Sequence, residues 1–195
     1  MARFAVFLLA MLMTGSAVAQ DNRVLTAQEG SVLEVDGTSN KSDWTVTASE
    51  FRGTFEMSAA GDVVAAEFSV AAKSIKGTIG LIMNKLISGA LKTAQYPDIS
   101  YTMLEVTGSS VTDAGKVLST RGTLSLAGVD KEIEMDVLVA DTEGGIRFTG
   151  EHPISMPDYK MKPPTAMFGA LHVAKEVLVR FDVLAGEASE TESGQ

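Results

Sequence analysis

Few side chains in this chain are equipped for chemistry. There are two histidines and no cysteine, which rules out thiol catalysis and thiolate metal sites. His152 and His172 do not form an H-x-H or H-x-x-x-H pair. A metal site needs several converging N, O or S ligands, so each histidine reads as a surface or flap residue. His152, Ser155 and Asp158 are close enough in sequence to suggest a nucleophilic triad. No G-x-S-x-G elbow marks an activated serine, however, and neither a G-x-G-x-x-G nor a P-loop motif is present. Tyr159, or one of Lys160 and Lys162, could mark a mouth and meet a polar headgroup. The alternation of Asp158, Lys160 and Lys162 with Met156, Tyr159 and Met161 reads more simply as a solvated face. No catalytic residue, metal ligand or cofactor is expected.

The elements that would position these residues are clearer. Ile154 to Gly169 is irregular, apolar and methionine-rich, with prolines at 157, 163 and 164. Proline lacks the N–H that a sheet ladder needs and fixes φ, so the stretch reads as an oily flap beside a sheet. After it, Val177, Val179, Phe181 and Val183 alternate with Leu178, Arg180 and Asp182, a strand pattern.

The same period of two recurs upstream. A polar lead-in from Asp21 to Gly30 precedes a strand over Ser31 to Gly37. Strands follow around Trp44 to Ala48, Phe51 to Met57, Val64 to Val70, Ile99 to Met103, Leu118 to Leu126, Ile133 to Val139 and Ile146 to Gly150. Alternation of this kind marks half-buried antiparallel strands. Gly128 to Lys131 and Glu143 to Gly145 read as hairpin turns. The period breaks once, where Ile79, Ile82, Met83, Leu86, Ile87, Ala90 and Leu91 fall at helical spacing. The expectation is an all-β antiparallel barrel or sandwich of about eight strands with one inserted helix. Small residues at inward positions (Ala48, Gly53, Ala66, Gly122, Gly150), together with several methionines, would leave room inside for a flexible apolar guest.

At the N-terminus, Arg3, the apolar run Phe4 to Met13 and the small-residue site Ala17-Val18-Ala19 read as a cleavable secretory signal over residues 1–19. No cysteine follows it, so no lipid anchor and no integral membrane span are expected after cleavage. Residues 20–185 form one domain, and 186–195 an acidic, disordered tail. Net charge is −9, one unit more negative without Arg3. That acidity argues against nucleic acid and against anionic membranes as partners.

These residues resemble the YceI-like family of exported bacterial proteins. Val35-Asp36-Gly37-Thr38-Ser39 with Asp43-Trp44 is similar to the family's G-T-S…W opening. Ala72-Lys73-Ser74-Ile75, Met83-Asn84-Lys85, Leu91-Lys92 and Tyr96-Pro97-Asp98-Ile99 resemble its helix and Y-P-x-I strand start. Gly122 to Val129 resembles the G-x-L-T-I-x-G-V hairpin, and Asp158 to Pro164 the D-F/Y-x-x-x-P-P flap. Asp130, where the family has Thr, and His152-Pro153 depart from the pattern. The resemblance implies an extended lipocalin-like antiparallel β-barrel with a Pro-rich flap, in the periplasm, binding an isoprenoid or other long-chain lipid without catalysis.

On that reading the lining comes from Trp44, Phe51, Phe55, Phe68, Tyr101, Leu124, Met135 and Phe148 of the strands. Leu81, Met83, Leu86 and Ile87 of the helix and Met161, Met167 and Phe168 of the flap form a lid. The expected partner is a long-chain isoprenoid or fatty-acyl lipid of quinone or polyprenyl type, and an oily lid leaves open a homodimer formed through it. Two other readings stand beside this one. A solid-core interaction module would hold no lipid, and a lipid-modifying enzyme would depend on His152 or Asp158.

Overall fold

The computed structural model describes residues 22–77 and 80–188. The expected signal segment, Ile79 of the expected helix and the end of the expected tail lie outside them.

A single antiparallel sheet curls on itself. Its order is β1-β4-β5-β7-β8-β9-β10-β12-β2-β3-β6. The strands are β1 Arg23–Ala27, β2 Val32–Ser39, β3 Asp43–Ala48, β4 Phe51–Met57, β5 Val63–Ala71, β6 Ile75–Gly77, β7 Asp98–Thr112, β8 Gly115–Leu126, β9 Val129–Thr142, β10 Gly145–Ser155 and β12 Leu171–Glu187. A two-residue β11, Thr165–Ala166, pairs with the start of β12. β1 also pairs with the end of β12 (Leu25 opposite Glu187), which closes the eight strands from β1 round to β12 into a barrel. Earlier along the same edge, β12 pairs with β2 instead, from Val173 opposite Ser39 to Asp182 opposite Val32. The wall is therefore tight at the end where β1 seals it and flares at the other, where β2, β3 and β6 are added.

Several boundaries differ from the sequence reading. The polar lead-in hides β1, whose Leu25 is buried and packs on Phe55, Ile146 and Val183. A five-residue strand with one inward side chain shows no alternation to read. The hairpin turn after β8 is Ala127-Gly128, with φ of 51° and 79°. Two positive φ values in a two-residue loop match the right-handed twist of the flanking strands, so Val129 to Lys131 already belong to β9. β10 runs on through Pro153 to Ser155, so the flap begins at Met156. It comprises a 3-10 turn at Met156–Tyr159, the Pro163-Pro164 stretch, β11 and a second 3-10 turn at Met167–Gly169. β12 includes Gly186 and Glu187, so the expected tail begins later than its composition suggests.

The expected helix is α1, Gly80–Leu91. It follows β6 and a 3-10 turn, Ala72–Ser74, and stands over the flared end. Asn84 Oδ1 accepts a 3.0 Å hydrogen bond from the Gly77 N–H, tying α1 to β6. Among the described residues no helix is long and apolar enough to cross a membrane.

Candidate functional site

The barrel encloses a cavity of about 250 Å³ that opens toward the flared end. Its walls are almost wholly apolar. Leu33 and Val35 come from β2, Phe55 from β4, Phe68 and Val70 from β5, Leu118 and Leu124 from β8, and Met135 and Val137 from β9. Val177, Val179, Phe181 and Val183 present one face of β12 to it. Met83, Ile87, Ala90 and Leu91 of α1 and Met156, Met161 and Pro164 of the flap roof it.

Three buried clusters frame this space. Leu25, Phe55, Met57, Ile146, Phe148, Val183 and Ala185 close the sealed end. Leu33, Val46, Ala48, Val70 and Ile75 pack the flank formed by β2, β3 and β6. Leu124, Leu126, Ile154, Met156, Tyr159, Met161 and Val173 pack beneath the flap. Buried apolar surface of this kind supplies about 25 cal/mol per Å², so the barrel is held by its ends and flank while its middle stays open.

Of the small residues expected to leave room, Ala66 lines the cavity, but the glycines do not create the space. The Tyr101 ring occupies the space that a Cβ on Gly122 would fill, and Trp44 lies against Gly37 in the same way. Phe68 at Gly53 and Phe181 at Gly150 repeat the arrangement. The glycines are seats that let aromatic rings lie flat along the wall, a device known to repair strand glycines. The cavity is the space left above those rings.

Among the residues expected to line the site, Trp44, Phe55, Phe68, Met83, Ile87, Tyr101, Leu124, Met135, Phe148 and Met161 face the cavity. Phe51 does not: its ring packs on Phe68, centroids 5.3 Å apart, against the buried flank cluster of Leu33, Val46, Ala48, Val70 and Ile75. Leu86 is half-buried on α1, at the edge of the inward stripe, and does not line the cavity. Leu81 and Phe168 point into solvent. Helical spacing told which residues share a stripe but not which stripe turns inward. The Met167 side chain lies outside the described residues.

Polar groups at the cavity are few. Thr120 is buried; its Oγ1 donates to the Met135 carbonyl at 3.0 Å and lies 3.4 Å from the Tyr101 hydroxyl. Burial raises the Tyr101 pKa above its ordinary 10.0, with the Thr120 contact opposing. The Trp44 Nε1 is buried and has no hydrogen-bond partner among the described residues. His152, expected at the surface or in the flap, is instead a half-buried residue of β10 at the cavity wall. Burial lowers its pKa below 6.5, and a contact with the Glu134 backbone partly offsets this. His172 is exposed on β12. His172 is thus at the surface, as expected, whereas the place of His152 was hidden because Pro153 interrupts the strand alternation beyond Gly150.

The triad does not assemble. His152 and Ile154 line the cavity, and strand alternation turns Ser155 to the other face. Asp158 sits in the flap, 3.5 Å from Lys131 Nζ. That ion pair has a structural place: β9 and β10 pair only as far as Val137 opposite Gly150 and then part. Lys131, 5.7 Å from the Tyr159 ring centroid, helps the flap bridge the gap. An apolar, one-ended cavity roofed by α1 and the flap is suited to taking up an elongated apolar molecule.

The model of the YceI-like domain matches residues 23–185. The chain belongs to the YceI-like family. Its fold is also that of several solved structures. BcnA of Burkholderia cenocepacia has a TM-score of 0.65 and 15% identity, over 80% of this chain and 96% of that one. A polyisoprenoid binding domain from Saccharophagus degradans, implicated in plant cell wall breakdown, has a TM-score of 0.65 and 18% identity, over 85% and 98%. The YCEI protein of Campylobacter jejuni has a TM-score of 0.56 and 18% identity, over 78% and 85%. No curated protein matches the sequence. The Asp130 and His152-Pro153 departures thus fall inside a chain that keeps the YceI-like fold.

Proposed function

We propose that this YceI-like protein binds a long-chain isoprenoid lipid, of quinone or polyprenyl type, in the barrel and carries or stores it in the periplasm without chemical change. The observation that carries the reading is the cavity. It exceeds the ~150 Å³ of an engineered apolar void that stays dry and binds benzene, and it is lined by flexible Met as well as rigid aromatic rings. Membership in the YceI-like family and the shared fold of a polyisoprenoid binding domain support the ligand class. The signal-like N-terminus supports the location.

The energetics suffice. At ~0.8 kcal/mol per buried CH₂, about fifteen carbons threading the cavity and its mouth give ~12 kcal/mol gross. Association costs several kcal/mol of this, which leaves roughly micromolar affinity or better. Length and shape, more than hydrogen bonds, would then select the lipid. A solid-core module is not favoured, because the space inside is open.

The chain's single tryptophan, Trp44, lies in the wall and serves as the reporter. Titrating the delipidated protein with a quinone should quench Trp44 emission to saturation at one equivalent. Unchanged emission, with quinone and polyprenyl lipids alike absent from the protein after gel filtration, would refute the proposal.

A further inference from the structure

We propose that the open end of the barrel is a docking surface for an anionic lipid bilayer. Two elements that roof the cavity each push large apolar side chains into solvent. Leu81 and Ile82, in the first turn of α1, are 88% and 76% exposed, and Phe168 at the flap tip is fully exposed. None belongs to a core cluster. Phe168 has a φ of 53°, a left-handed conformation uncommon and costly for a bulky side chain. The backbone there holds an aromatic ring away from the protein.

Lysines surround these residues. Lys41 lies in the β2–β3 turn, Lys76 in β6, Lys85 in α1, and Lys160 and Lys162 in the flap; all are exposed. Among the described residues none of the five is in an ion pair. Lys73, Lys92, Lys131 and Lys175 also lie at this end. The acidic groups there are fewer, Asp43, Glu50, Asp98, Asp130, Asp158 and Glu176, and Asp158 faces Lys131. The turns at the sealed end carry Glu29, Asp62, Asp113 and Glu143, with Lys116 held by Asp62 at 2.7 Å. A net charge of −9 conceals this polarity along the barrel axis.

Apolar side chains ringed by lysines fit the boundary of a bilayer. The rings and aliphatic chains enter the headgroup level, and the ammonium groups meet lipid phosphates. A second copy docked mouth to mouth would set the two lysine groups against each other, since a twofold contact uses the same patch on both partners. The surface therefore commits to an anionic membrane. The proposal rests on the lipid reading of the cavity, because it lets a lipid pass between bilayer and barrel without crossing water.

Vesicle flotation tests it, using protein expressed from the full sequence, with its N-terminus read by mass spectrometry and matched between variants. The parent should float with phosphatidylcholine–phosphatidylglycerol vesicles, not with phosphatidylcholine alone, and release at high salt. L81Q/I82Q/F168N, which touches no core residue and places Asn at the left-handed site, should abolish flotation. K85Q and K162Q should each weaken it roughly fivefold. Equal binding to both vesicles, no binding, or a concentration-dependent dimer abolished by the triple variant in place of flotation would overturn the docking surface. Lipid content, measured on the same samples, separates the two readings. Protein that holds lipid but never floats defeats only the docking surface, and protein that floats but never holds lipid defeats only the cavity's assignment.

Discussion

The rings of Phe55 on β4 and Phe148 on β10 stack across the sealed end of the barrel, centroids 4.2 Å apart and 9° from parallel. Their strands are separated in the sheet by β1 and β12, so the stack spans the interior. It forms the floor on which the cavity stands, and everything the site can hold is measured from it.

Removing half of that floor should both weaken the fold and lengthen the cavity. F148A is expected to cost about 3–5 kcal/mol in denaturant unfolding, the range for a large buried aromatic. It should also shift the extracted lipids toward longer chains. An unchanged lipid profile in a folded F148A protein would show that the stack does not limit ligand length.

The roof gives a paired test. Ile87 and Leu86 are neighbours on α1, but only Ile87 faces the cavity. A lysine at 87 puts a cation against apolar walls, where no partner offsets its desolvation. I87K should lower lipid uptake at least tenfold, a loss of about 1.4 kcal/mol, while L86K stays close to the parent. Equal losses in the two variants would mean that α1 is not oriented as described.

His152 makes the site sensitive to acid. Burial holds its pKa below 6.5, so the unfolded chain takes up a proton more readily than the folded one. Its contribution is complete above 6.5 and is lost as pH falls through 6.5 toward the folded value. Between neutral pH and about pH 5, the unfolding midpoint of the parent should therefore drop more than that of H152Q. Parallel profiles would remove His152 as the cause.

Much of the barrel was legible because β8, and β9 from Val129 to Val137, turn one face inward in strict alternation. β5 and β12 keep enough of the same period to read as strands. β1 was not, because Leu25 is its only fully buried side chain and its partners Phe55 and Val183 lie far away in sequence. The turn at Ala127 was missed because alanine gives no sign of a left-handed backbone. The wall residues of the site were partly legible from apolar identity. Their packing was not: whether Gly122 leaves a hole or seats Tyr101 depends on the diagonal register that sets Gly122 opposite Met103 and Tyr101 opposite Leu124. The fate of Leu81 and Phe168 was hidden for a similar reason. An oily residue in a lid faces either the cavity or the outside, and local sequence carries the same pattern for both.

The central claim is that the barrel holds a long-chain lipid. Protein purified from its native host, extracted with organic solvent and analysed by mass spectrometry, tests it most directly. The account predicts an isoprenoid species near one equivalent per chain, lost from the folded I87K variant. A clean extract that stays clean after incubation with quinone and polyprenyl lipids would contradict it.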